Sequence, residues 1–189
     1  MTYNELAPGV WIFDNIFTDA MDMINQIESE DVSWESSMVF SKEENKKIQT
    51  EHRNSFTIGL PMENSRVPGD KRTDFYDKFK SSIQDPVRLY SENFELRLVE
   101  NEPTSIIKYN PGNYFVKHAD SNGNLHRTLS LVYYANDNYE GGELIFDRWK
   151  VSIKPKRNQL VLFPSNFMYT HEVKPVISGT RYSVVSWLI

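Results

Sequence analysis

The chain has 189 residues, with 39% hydrophobic, 13% aromatic and 25% charged side chains; that is long enough to bury a core and too apolar for a disordered segment. It contains no cysteine, so disulfides and thiolate metal clusters are excluded, and its net charge of −5 disfavours nucleic acid as a partner. No run of about 18 apolar residues and no signal-peptide pattern occurs, so the expectation is a soluble cytoplasmic protein without membrane contact.

In chain order, Val10 to Phe13 is a short apolar run that predicts an early strand. Thr18 is placed to cap a helix running to about Glu28, with Met21, Ile24 and Ile27 at three-residue spacing. The polar stretch 41–55, including Lys42 to Lys47, has the composition of a loop, and it and 63–73 are candidate lids or ordinary solvated loops. Phe75, Phe79 and Ile83 mark the buried stripe of a helix over about 73–84. Pro86 suits the first turn of a following helix that carries Val87, Tyr90 and Phe94.

Near residue 95 the pattern changes from helical to stranded. From 127 to 134, Leu129, Leu131 and Tyr133 share one face and Thr128, Ser130, Val132 and Tyr134 the other, as in a sheet with an apolar outside and a partly polar interior. Asp137-Asn138, Gly141-Gly142, Asp147-Arg148, Pro155 with 156–158, and Pro164-Ser165 punctuate several further short strands. The expectation is an α+β single domain over 1–189. Helix-rich support and lid loops fill 1–95, and an antiparallel jelly-roll core over 96–189 carries the site.

The chemistry concentrates in that second half. The chain has four histidines, and two of them, His118 and His171, accompany Asp120 in a set of three candidate metal ligands. On an extended segment, residues two apart point to the same side, so His118 and Asp120 can grip one ion. Two imidazoles and a carboxylate form the facial triad suited to Fe(II), with open positions opposite. The same set occurs in hydrolytic zinc sites, but those often use a helical His-Glu-x-x-His motif that is absent here, and His171-Glu172 has no partner histidine four residues on. His52 and His126 read as surface residues. On the final predicted strand, Arg181, Ser183, Val185 and Trp187 share a face. An inward arginine needs an anionic partner, and its planar fork suits a carboxylate.

The stretches 109–120 (YNPGNYFVKHAD), 127–136 (RTLSLVYYAN), 141–144 (GGEL), 160–165 (LVLFPS), 171–173 (HEV) and 181–187 (RYSVVSW) resemble, in order and spacing, the Fe(II)/2-oxoglutarate-dependent dioxygenases of the prolyl 4-hydroxylase branch. The resemblance implies a double-stranded β-helix (jelly-roll) core buttressed by N-terminal helices. It implies Fe(II) held by His118, Asp120 and His171, with 2-oxoglutarate and O2 as co-substrates and ascorbate as an accessory. Arg181 would bind the distal carboxylate, helped by Tyr109, Tyr134 and Ser183, with Leu144 lining the pocket; Arg127 and Trp187 would lie toward the substrate. Arginine at 181 is nearer the hypoxia-sensing and bacterial enzymes than the collagen type, which usually carries lysine there. The retained Asp120 separates the chain from related halogenases, which carry a small residue at that place. Arg53-Asn54-Ser55 resembles a short motif at the family's active-site rim. The implied activity is hydroxylation of a proline in a peptide or protein, with succinate and CO2 as co-products. The alternatives are a hydroxylase of a free amino acid or other small molecule, and an inactive jelly-roll that binds a ligand or partner.

Overall fold

The computed structural model describes residues 2–30, 32–41, 46–48, 51–99, 102–121 and 125–189. The part of the expected 41–55 loop formed by residues 42–45 and 49–50 lies outside them. The strands before residue 60 are β1 (Asn4–Ala7), β2 (Val10–Phe13), β3 (Glu35–Ser36), β4 (Val39–Ser41), β5 (Lys46–Ile48), β6 (Arg53–Asn54) and β7 (Phe56–Gly59). Those after residue 100 are β8 (Ser105–Tyr109), β9 (Tyr114–His118), β10 (Leu129–Tyr134), β11 (Glu140–Gly141), β12 (Leu144–Phe146), β13 (Val151–Ile153), β14 (Gln159–Pro164), β15 (His171–Val173), β16 (Val176–Ser178) and β17 (Arg181–Leu188). Among the described residues two α-helices, α1 (Ala20–Glu28) and α2 (Lys71–Asn93), complete the framework.

Eight strands form the major sheet, in the order β1-β2-β14-β10-β17-β8-β7-β3, and five form the minor sheet, β13-β12-β15-β9-β6. The described pairings are all antiparallel, and β11 with β16 and β4 with β5 make two small ribbons. Alternation on the central strands assigns the layers. Leu129, Leu131 and Tyr133 of β10 and Tyr182, Val184 and Leu188 of β17 pack with Ile24, Ile27, Phe75, Phe79 and Tyr90 of the helices. The opposite faces, through Val132 and Tyr134, join Leu144, Phe146 and Val173 of the minor sheet in a second core between the sheets. The helices therefore cover one face of the major sheet, and the minor sheet covers the other.

Three local expectations change. The strand at Val10 to Phe13 is present and fully buried, but α1 begins at Ala20 behind Asp19, with no side-chain cap; the Thr18 hydroxyl donates to the Asp19 carboxylate instead, at 3.2 Å. The two helical segments expected around Pro86 are one helix, α2, capped by the Asp70 carboxylate, which accepts from the Arg72 amide at 2.8 Å. Pro86 deprives the helix of one donor and ordinarily breaks it. Here its ring is buried in the stripe Phe75, Phe79, Ile83, Pro86 and Tyr90, so packing against the sheet offsets the lost bond. Part of 41–55 is strand rather than loop, and 63–73 contains a single helical turn at Glu63–Ser65 followed by the start of α2. Among the described residues, no helix is long and apolar enough to cross a membrane.

Candidate metal centre and its anion pocket

Between the two sheets, β9 and β15 pair so that His118 stands opposite His171, and Asp120 follows β9 by two residues. His118 Nε2 lies 3.4 Å from one Asp120 carboxylate oxygen, and His171 Nε2 lies 3.7 Å from the other. The three potential ligand atoms fall within 4.8 Å of one another. Each imidazole is oriented by backbone: His118 Nδ1 sits 2.8 Å from the Val116 carbonyl and His171 Nδ1 3.0 Å from the Tyr169 carbonyl. A carbonyl can only accept, so both rings carry their proton on Nδ1 and direct the Nε2 lone pair toward Asp120. Phe115 stacks on His118 at 3.6 Å between centroids, and Phe163 meets His171 edge-on at 4.8 Å, which fixes both rings.

The Asp120 carboxylate is 7% exposed and accepts a 2.7 Å bond from the Ser130 hydroxyl. Burial by itself would raise its pKa, but His171, His118 and Ser130 together hold it well below the usual carboxylate range. Burial, reinforced by His118, pushes the His171 imidazole down to about 4. At neutral pH the cluster is therefore one carboxylate and a neutral imidazole at His171, the protonation states in which these groups ligate metal. Two imidazole nitrogens and one carboxylate oxygen within 4.8 Å of one another, without thiolate, fit Fe(II) with its remaining positions open.

The same cavity continues to β17. Arg181, Ser183, Val185 and Trp187 line it together with Tyr109 of β8 and Leu144 of β12. Arg181 is 1% exposed, its guanidinium lies 4.6 Å from the Tyr109 ring centroid and 5.0 Å from that of Tyr134, and its Nε and Nη1 have no hydrogen-bond partner among the described residues. The buried hydroxyls of Ser183 and Tyr134 are also unpartnered, and burial raises the Tyr134 phenol far above its ordinary pKa, so it stays neutral and can donate. Buried polar groups are normally satisfied. A permanently charged fork beside two idle hydroxyls therefore marks a pocket shaped for an anion with several acceptor oxygens.

Arg127 and Trp187 stand differently. Trp187 forms part of the cavity wall. The Arg127 guanidinium lies 3.7 Å from the Trp187 ring centroid, is paired through two bonds of 2.8 and 2.5 Å with Glu102, and donates to the Asp120 backbone carbonyl at 3.3 Å. It reaches the site through those neighbours rather than by opening onto the cavity. His52 and His126 are exposed.

Arg53, singled out above by the rim motif, and two residues without an assigned role in the sequence also belong to the site. Arg53 lines the cavity with its guanidinium 4.8 Å from the Phe115 centroid, while Ser130 steadies Asp120. Tyr139 is beside Arg181, with a buried hydroxyl that has no partner. The Ser130 role was within reach of the period-two pattern, which set it on the polar inner face; Tyr139 falls in a turn where no period exists.

Chemically, such a site can chelate a 2-oxo acid at the metal while the guanidinium holds a second carboxylate. Residues 104–189 match the model of the 2OG-Fe(II) oxygenase superfamily. A PKHD-type hydroxylase of Shewanella baltica is 34% identical over 96 residues, covering 46% of this chain and 42% of that protein. Human prolyl 3-hydroxylase 2 is 39% identical over 66 residues, covering 32% of this chain and 9% of that protein. The chain thus spans less than half the length of these curated relatives. Among solved structures, a Trichoplax adhaerens prolyl hydroxylase in complex with a hypoxia-inducible-factor peptide fragment superposes with a TM-score of 0.75 at 19% identity, covering 96% of this chain and 83% of that one. A Pseudomonas putida prolyl-4-hydroxylase gives 0.67 at 20% identity, covering 95% and 91%. At these identities the likeness is one of fold.

Proposed function

We propose that this chain is a member of the 2OG-Fe(II) oxygenase superfamily and a 2-oxoglutarate-dependent hydroxylase of proline in a peptide or protein substrate, built as one domain on a double-stranded β-helix. The observation that carries this reading is the buried Arg181 fork, its Nε and Nη1 idle, in the same cavity as His118, Asp120 and His171. Ferrous iron bound by the triad would supply oxygen activation coupled to decarboxylation of the 2-oxo acid, leaving succinate, CO2 and a hydroxylated product.

The protein's own part is placement. The carbonyls of Val116 and Tyr169 fix the imidazole tautomers, and Ser130 fixes the carboxylate. Arg181, with Tyr109 and Ser183 of the cavity lining and with Tyr134 beside the guanidinium, would receive the distal carboxylate of 2-oxoglutarate, while Leu144 closes the apolar side of the pocket. The substrate would approach between Trp187 and Arg53, with Arg127 holding the Trp187 wall. The fold likeness to a prolyl hydroxylase seen with a peptide, and the match to a prolyl 3-hydroxylase, support a peptidyl proline as the target. Ascorbate would serve as an accessory reductant. The triad and the Arg181 pocket together favour an active enzyme over a silent ligand binder.

The test is oxygen-dependent conversion of 2-oxoglutarate to succinate with Fe(II). Wild-type protein should turn over, and His118→Ala should not; equal turnover by the variant would remove the ligand assignment. Proline-containing peptides should raise succinate formation and gain one oxygen atom by mass spectrometry. If no peptide is modified while a free amino acid is, the substrate is the small molecule instead.

A further inference from the structure

The fold treats its buried phenols in two ways. Tyr90 donates to the Gly9 carbonyl at 2.8 Å and Tyr133 to the Phe17 carbonyl at 2.5 Å, so each hydroxyl is satisfied by backbone. Tyr134 and Tyr139 are buried with no partner for either hydroxyl among the described residues, and both lie at Arg181. An unmade hydrogen bond in the interior is costly, so a pair of idle phenols around one cation calls for a cause.

Tyr139 is held there by its surroundings. Gly142, at φ +65°, is wedged between the two side chains: a Cβ on it would stand 3.1 Å from Arg181 Cδ and 3.3 Å from Tyr139 Cε2. On the other side, a Cβ on Gly179 would stand 3.0 Å from Tyr139 Cα and 2.7 Å from the Asn138 carbonyl. Asn136 stitches this segment to the strand of Arg181, donating to the Thr180 carbonyl at 2.7 Å and accepting from the Tyr182 amide at 2.8 Å. Side-chain carboxamide and two close-approach glycines therefore fix the phenol relative to the residues on either side of Arg181.

Resting on the reading of Arg181 as the anchor of a 2-oxo diacid, we propose that Tyr139 is a positioning residue for that diacid: when the diacid binds, the Tyr139 hydroxyl oxygen accepts an Arg181 N–H that is unpaired without ligand, and so sets the plane of the fork against the distal carboxylate. Tyr139 does not line the cavity, so it acts through Arg181 and not on the metal chelate. Burial raises its pKa, which keeps the phenol neutral and able to accept and donate.

The experiment is titration calorimetry under anaerobic conditions on the Fe(II)-loaded protein with two ligands. 2-Oxoglutarate carries the distal carboxylate; oxalate chelates iron without one. Tyr139→Phe should weaken 2-oxoglutarate about 5- to 30-fold, the loss of one hydrogen bond around a charged group, and leave oxalate unchanged. Its melting temperature without ligand should equal or exceed that of the wild type, because an unsatisfied hydroxyl is removed. Equal affinity of both proteins for 2-oxoglutarate overturns the proposal. Parallel weakening of both ligands overturns it too, since that is a structural defect. Wild-type protein that binds oxalate but not 2-oxoglutarate would instead refute the diacid reading on which the proposal rests.

Discussion

Replacing Arg181 by methionine should make the protein bind its co-substrate poorly and yet fold more stably. The side chain is 1% exposed, with Nε and Nη1 lacking any partner, and each such group costs about 1–3 kcal/mol. Against this, methionine forfeits the guanidinium contacts with the Tyr109 and Tyr134 rings at 4.6 and 5.0 Å, each worth about 1–2 kcal/mol when desolvated. The balance centres on a gain of about 1 kcal/mol, because a flexible thioether of similar volume fills the space without a charge to desolvate. For a chain of this size that is an increase of about 2–4 °C in the melting temperature of metal-free, ligand-free protein. Binding moves the other way. Losing a charge-assisted bidentate pair costs about 3–5 kcal/mol, a roughly 10²- to 10⁴-fold weaker Kd for 2-oxoglutarate, with metal affinity changed by less than about threefold. Differential scanning fluorimetry on the apo protein and calorimetry on the Fe(II)-loaded protein read the two effects separately. A variant that melts several degrees below the wild type in the absence of ligands would refute the claim that the guanidinium is held at a cost, and an unchanged Kd would refute its role in binding.

Ser130→Ala removes the 2.7 Å bond to Asp120 and should weaken metal binding about 10- to 100-fold in a Mn(II) titration, with the circular dichroism spectrum intact. Gly141→Ala should lower the melting temperature by about 5–15 °C, since φ is +74° there and the new Cβ would stand 2.3 Å from the Pro175 carbonyl; a change within a degree would mean that the β11–β16 ribbon is not rigid. Asp70→Ala should cost about 1 kcal/mol at pH 7 by uncapping α2. Hydrogen bonding by Arg72 lowers the folded-state pKa of Asp70, so the native carboxylate stabilises fully above the ordinary carboxylate range and loses that contribution as pH falls through the depressed value. Melts of variant and wild type should therefore converge in acid, and a constant gap would contradict the assignment.

Side-chain alternation made the central strands legible: β10 and β17 each show a clear apolar face and a polar one, because one side packs on helices and the other on a cavity. The triad was legible through scarcity, as the chain offers four histidines and no cysteine. Other features have no local signal. Strands β3 and β6 are two residues long and exist through their pairing with β7 and β9. Pro86 argues locally for a helix boundary, and only the buried stripe of α2 overrides it. The environment of Arg127 depends on Glu102, which lies before β8 in an unpatterned segment, so a residue set toward the substrate from sequence is found clasped by a carboxylate and an indole. Tyr139 depends on Asn136, Gly142 and Gly179, a meeting of separated turns that no periodicity announces.

The position of β17 carries a consequence for biogenesis. It is last in chain order among the described strands, yet it lies between β10 and β8, so without it the major sheet is two unjoined halves. A ribosome-bound chain that has not yet released residues 181–188 would expose two raw hydrogen-bonding edges, and closure would wait for the segment that also delivers the guanidinium. Protease resistance of stalled nascent chains should accordingly appear in one late step as β17 clears the exit tunnel, and a ladder of gradual protection would contradict it.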